Sequence, residues 1–115
     1  MNLEFKTREN QQVLVCKVFD TRIDGSVVGD LKGQFEPHIQ KGVLRVALDL
    51  SNVTFIDSTG LGALIALRKI LPEGSEMAIF GATKQVDKLF RLTRLNKVLL
   101  MTSTVDEAAE ELSKR

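Results

Sequence analysis

Tryptophan and tyrosine are absent from this 115-residue chain, cysteine and histidine occur once each, and proline only twice. Each scarcity removes a class of chemistry. With His38 as the sole imidazole, no Ser-His-Asp triad can be assembled within one chain unless another group serves as base. One cysteine, one histidine and scattered carboxylates supply no dedicated ligand set, so neither a metal nor another cofactor is expected. Cys16 lies in the apolar run Val13-Leu14-Val15-Cys16, cannot form an internal disulfide, and reads as a buried thiol suited to a reducing compartment. Without tryptophan or tyrosine, two residue types that favour binding hot spots are missing, which points any protein interface toward modest, regulable affinity.

Charge of one sign is lacking too. Sixteen basic residues against fifteen acidic leave a net charge of +1, so no global field steers the chain toward nucleic acid. The local distribution is uneven. Lys84, Lys88, Arg91, Arg94 and Lys97 face only Asp87, whereas Asp106, Glu107, Glu110 and Glu111 make the tail acidic. Both stretches read as solvated helix faces, and the basic one lacks the interleaved aromatics of an RNA or lipid-headgroup site. The longest uncharged apolar stretch, Leu61 to Leu67, is far short of the roughly 18 residues a membrane span needs, and Met1 to Asn10 carries no apolar export signal. A cytoplasmic protein without membrane insertion is expected, folded as one domain over residues 1–115.

Hydrophobic periodicity then divides the chain. Leu3 to Thr7 and Val13 to Phe19, separated by polar Arg8 to Gln12, predict a β-hairpin. Asp24-Gly25-Ser26 is turn and cap chemistry ahead of a helix carrying Val27, Val28, Leu31, Phe35 and Ile39, closed by Lys41-Gly42. Val43 to Leu50 has the apolar character of a strand covered on both faces. Thr59 to Ile70 predicts a largely buried helix, with Arg68 and Lys69 at its C-terminal end and Leu71-Pro72-Glu73-Gly74 stopping it. Met77 to Phe80 is the next strand, and Thr83 caps a helix with Val86, Leu89, Phe90 and Leu92 on its pattern. Val98 to Met101 is the last strand, and Ser103 or Thr104 caps a C-terminal helix. The order ββαβαβαβα implies an α/β domain whose mixed sheet is mostly parallel and flanked by helices.

The chemistry concentrates in Phe55-Ile56-Asp57-Ser58-Thr59-Gly60-Leu61-Gly62, where a loop enters the buried helix. Ser58 is placed to cap that helix, and Gly60 and Gly62 keep the first turn open to close approach. A helix N-terminus tolerates an anion, so a phosphate on Ser58 would leave the fold intact. It would add about −1.5 to −2 charge beside Asp57 and repel a partner that fits the neutral hydroxyl. No phosphate-binding Gly-x-x-x-x-Gly-Lys-(Ser/Thr) loop accompanies it, and Gly60-Leu61-Gly62 is too short a pattern to name a nucleotide.

This segment resembles the Asp-Ser-(Ser/Thr)-Gly-Leu motif of bacterial anti-sigma factor antagonists, members of the STAS domain family. Leu48-Asp49-Leu50-Ser51-Asn52-Val53 resembles the strand and loop leading into that motif, and Lys88-Leu89-Phe90-Arg91-Leu92-Thr93-Arg94-Leu95 resembles the family's next-to-last helix. The resemblance implies a single STAS domain that binds proteins rather than catalysing a reaction. It implies that Ser58 is phosphorylated by a GHKL-type kinase, itself the anti-sigma factor in many systems. A PP2C-type phosphatase would reverse the mark, and the unphosphorylated form would bind. Asp24 aligns with an acidic residue in the family's loop after the second strand, so the expected partner surface is Asp24, Asp57, Ser58, Thr59, Gly60 and Leu61. Thr21-Arg22 departs from the Gly-Glu that often precedes that acidic residue, and Gly25 looks like an addition.

Local sequence alone makes Ser58 an ordinary helix cap; the family resemblance makes it the phosphorylation site. Thr59 ranks second as acceptor, because a β-branched first helical residue is expected to be stiffly packed. Asp57 reads equally as a loop-end cap, as a group orienting the serine, or as a contact for magnesium carried on a partner's ATP. A different class of function remains open: a non-switched STAS subunit of a transport or lipid-trafficking complex. The isolated chain is expected to be a monomer or weak dimer.

Overall fold

Alternation along the first two strands decides how the sheet begins. In the computed structural model, which describes all residues 1–115, β1 (Leu3–Arg8) and β2 (Val13–Val18) form the predicted hairpin, in antiparallel register from Leu3 opposite Val18 to Arg8 opposite Val13. Phe5 turns inward and meets Phe35 edge-on at 5.1 Å between ring centroids, tying the hairpin to helix α1 (Val28–Gln40). Parallel pairing follows, β2 with β4 (Arg45–Asp49), β4 with β6 (Glu76–Phe80), and β6 with β7 (Leu100–Thr102), giving a five-stranded sheet in the order β1-β2-β4-β6-β7.

The side chains of the central strands divide between two faces. Leu14, Cys16, Val46, Leu48, Met77 and Ile79 enter the larger core with Leu31 and Phe35 of α1, Leu64 and Leu67 of α2 (Ser58–Ile70), and Phe90 of α3 (Lys84–Leu92). Burial there pushes the Cys16 thiol up to about 12, which keeps it protonated and inert. On the other face Val13, Ala47, Ala78 and Phe80 pack against Ala108, Ala109 and Leu112 of α4 (Val105–Ser113). Alanine on both sides lets this helix lie close to the sheet. The apolar run of β4 is thus covered on both faces, as its composition predicts.

The predicted element order stands, with three local corrections. Two short strands, β3 (Arg22–Ile23) and β5 (Phe55–Ile56), pair in parallel outside the main sheet. Their pairing spans a long sequence separation, which local periodicity does not carry. A 3-10 turn at Gly25–Val27 precedes α1, so the regular helix starts later than the cap chemistry indicated. The last strand begins at Leu100 rather than Val98, because Arg94 takes a left-handed conformation (φ 62°) and the turn Leu95–Lys97 throws Val98 out into solvent. Thr83 and Thr104 cap α3 and α4 as expected, the latter with a complete capping box through Glu107. No helix is long and apolar enough to cross a membrane.

Candidate functional site

The loop that leaves β4 turns over the C-terminal end of the sheet before α2 begins. Asp49 Oδ1 accepts the Ser51 amide at 2.9 Å, and the Leu50 amide donates to the Phe80 carbonyl at 3.1 Å. Val53, fully buried, anchors the loop from below. The amides of Thr54 and Phe55 then donate to the Thr21 carbonyl at 2.9 and 3.2 Å and start the β3–β5 pair. Because Ile23 stands opposite Ile56 in that pair, the chain delivers Asp24 and Asp57 side by side at its end.

Asp57, not Ser58, is the N-cap of α2. Its backbone is extended (φ −94°, ψ −179°) and its Oδ1 accepts the Gly60 amide at 2.8 Å, leaving Ser58 as the first helical residue. A carboxylate capping at that position satisfies one of the orphan amides of the first turn, so the serine hydroxyl is not needed for it. Ser58 is exposed, and its Oγ makes no hydrogen bond to the protein.

Thr59 is also exposed, rather than packed as expected, yet its hydroxyl is fully committed. It donates to Asp57 Oδ1 at 2.6 Å and accepts the Gly25 amide at 2.8 Å, tying the turn at 57–60 to the loop after β3. Two glycines make that junction possible. A Cβ on Gly60 would sit 2.2 Å from the Ile23 carbonyl oxygen, and one on Gly25 would sit 2.8 Å from Thr59 Cβ. Gly25, an apparent addition to the sequence pattern, is therefore a contact point. Gly62 is different: nothing lies within 4 Å of its missing Cβ, and it is exposed.

The two carboxylates are held ionised. The Thr59 hydroxyl, then the Gly60 amide, lowers the pKa of Asp57; the Ser26 hydroxyl, then its amide, lowers that of Asp24. Each is also favoured by the charge of Arg22, while Asp57 opposes the ionisation of Asp24. The surface is thus a fixed pair of negative charges beside a free hydroxyl. Arg22 lies with its guanidinium 4.4 Å from the centroid of Phe55, which is 43% exposed.

Asp24, Asp57, Ser58 and Thr59 are therefore brought together at one surface. Gly60 and Leu61 are not part of its outer layer. Leu61 is only 6% exposed and belongs to the main core, because its position on α2 points to the sheet. Sequence reasoning missed Arg22, Gly25 and Phe55 as site residues. The sole signal for Arg22 and Gly25 was their departure from the family pattern, and the β3–β5 pair that gathers all three is a tertiary feature.

No group of three or more His, Cys, Asp or Glu side chains is arranged to hold a metal ion. A cavity of about 510 Å³ lies elsewhere, at the N-terminal ends of β4 and β6, with His38, Lys41, Arg45, Glu9 and Glu76 in its wall. Its mixed charges single out no ligand. Ser58 and Thr59 are instead exposed on the surface, where another protein can reach them.

Comparison with known proteins agrees with this description. The anti-sigma-B factor antagonist of Staphylococcus aureus (strain NCTC 8325 / PS 47) is 30% identical over 100 residues, which is 86% of this chain and 92% of that protein. An anti-sigma factor antagonist from Mycobacterium paratuberculosis has the same fold, with a TM-score of 0.81 at 22% identity over 96% of this chain and 92% of its own. A sulfate transporter family protein from Wolinella succinogenes shares it as well, with a TM-score of 0.74 at 19% identity over 90% and 88% of the two chains. Such distant structural likenesses speak for the fold alone. The model of the STAS domain matches residues 4–108, and together with the Staphylococcus relative it places this chain in the STAS domain family, among the anti-sigma factor antagonists, which are regulatory binding proteins rather than enzymes.

Proposed function

We propose that this protein is a phosphorylation-controlled switch in which the unphosphorylated form captures an anti-sigma factor or related GHKL-type kinase and relieves the inhibition that partner exerts. The reading rests on one observation: Ser58 presents an exposed, unbonded hydroxyl at the start of α2, between an aspartate and a threonine that are both committed to structure. A phosphate there lies at the positive end of the helix dipole, so the domain keeps its fold while its partner-facing charge changes. The negative charges of Asp57 and Asp24 beside it deepen the change. A cytoplasmic kinase would write the mark and a PP2C-type phosphatase would remove it.

The test is to incubate the protein with a candidate GHKL kinase and ATP and to map the added phosphate by mass spectrometry. Phosphate on Ser58, and its loss in Ser58→Ala, supports the switch; phosphate on Thr59 instead would move the acceptor to a hydroxyl already bonded to Asp57 and Gly25. A second reading makes the domain a constitutive subunit of a transport or lipid-trafficking assembly; the fold, which a sulfate transporter family protein shares, is compatible with either. Capture of the partner separates the two. Under the switch, Ser58→Asp loses the complex and Ser58→Ala keeps it; a permanent subunit tolerates both alike.

A further inference from the structure

The two most exposed large apolar side chains of the molecule lie far from Ser58 in sequence and close to each other. Leu92, at the end of α3, is 72% exposed and Val98, after the following turn, is 71% exposed, whereas every other exposed large apolar side chain is at 53% or below. They stand among the densest run of cations in the chain. Val86 and Phe90 hold α3 to the core, so Lys84, Lys88 and Leu92, spaced four residues apart, form a stripe along its outer side. Arg94 and Lys97 continue the positive charge through the turn that exposes Val98. Lys84, Lys88, Arg94 and Lys97 take part in no ion pair; the region's sole acidic residue, Asp87, is engaged by Arg91 at 2.8 Å.

We propose that the outer face of α3 and the turn after it form a peripheral docking surface for a membrane rich in anionic lipid headgroups. Four unpaired cations on flexible stems suit a fluid array of phosphates, and two protruding aliphatic side chains suit shallow insertion beneath it. No exposed aromatic side chain interleaves these cations, and the protruding Leu92 and Val98 supply the apolar contact in place of aromatics. Burial of Leu92 and Val98 would be too small to hold the protein permanently, so the association is reversible and salt-sensitive.

The experiment is co-sedimentation of the whole chain with vesicles of phosphatidylglycerol and phosphatidylcholine in equal parts, and with phosphatidylcholine alone. The expected result is binding to the anionic vesicles only, reversed by salt, with each of Lys88→Gln and Lys97→Gln lowering partitioning about fivefold. Leu92→Ser with Val98→Ser should lower it as well, and because both side chains are exposed, the variants should keep the wild-type circular dichroism spectrum. No binding to anionic vesicles, or equal binding to both kinds, overturns the proposal. So does binding to an acidic polypeptide such as polyglutamate that matches the vesicle binding and is unaffected by the apolar double variant, since that result assigns the patch to a polyanionic partner.

Discussion

At the scale of single residues, the junction between the loop after β3 and the first turn of α2 separates what the fold requires from what the partner requires. Gly60 and Gly62 are equivalent in the motif and opposite in the structure. Gly60→Ala drives a methyl group into the Ile23 carbonyl, so a loss of about 3 kcal/mol is expected in urea denaturation. Gly62→Ala meets open space within a helix, so the same measurement should show a gain of about 0.5 to 1 kcal/mol, while the added methyl on the exposed face weakens partner capture. Asp57 gives a pH signature. Its pKa is depressed in the folded state, so its contribution to stability is present above the unfolded value of about 3.9 and is lost as pH falls through the lower folded value. Asp57→Asn keeps a capping oxygen without a titrating charge, and the acid limb of the thermal stability profile should flatten below about pH 4.

At the scale of elements, α1 is the least self-sufficient helix. Gly29 and Gly33 lower its intrinsic propensity and Pro37 lies within its last turns, so it is held chiefly by Leu31 and Phe35 in the core. Neither glycine has an atom within 4 Å of an added Cβ, and neither has positive φ. Gly33→Ala should therefore raise stability by about 0.5 to 1 kcal/mol, read as a higher melting temperature; a fall would mean that this face of α1 is packed in solution. The existence and type of the main elements were legible in the sequence because apolar periodicity and cap residues such as Thr83 and Thr104 are local. The ends of β7 and the start of α1 were not, since a left-handed Arg94 and a 3-10 turn shift them without changing the pattern. The β3–β5 pair had no local signal at all.

At the scale of the whole molecule, the switch proposed for Ser58 acts on a surface and not on the stability of the domain. Ser58→Asp places a carboxylate at the positive end of α2, so the isolated protein should keep its melting behaviour, with a change in stability within about 1 kcal/mol, while losing its partner in a capture assay. Unfolding of the variant would instead mean that charge at this position breaks the domain. The sequence by itself determined the family and the alternation of strands and helices, because periodicity and motif order are properties of the chain. Tertiary structure alone decided that Asp57 rather than Ser58 caps α2, that Leu61 is core, that Gly25 bonds Thr59, and that Arg22 lies over Phe55. The gathering of Arg22, Gly25 and Phe55 beside Thr59 depends on contacts between residues some thirty positions apart, which no local pattern encodes.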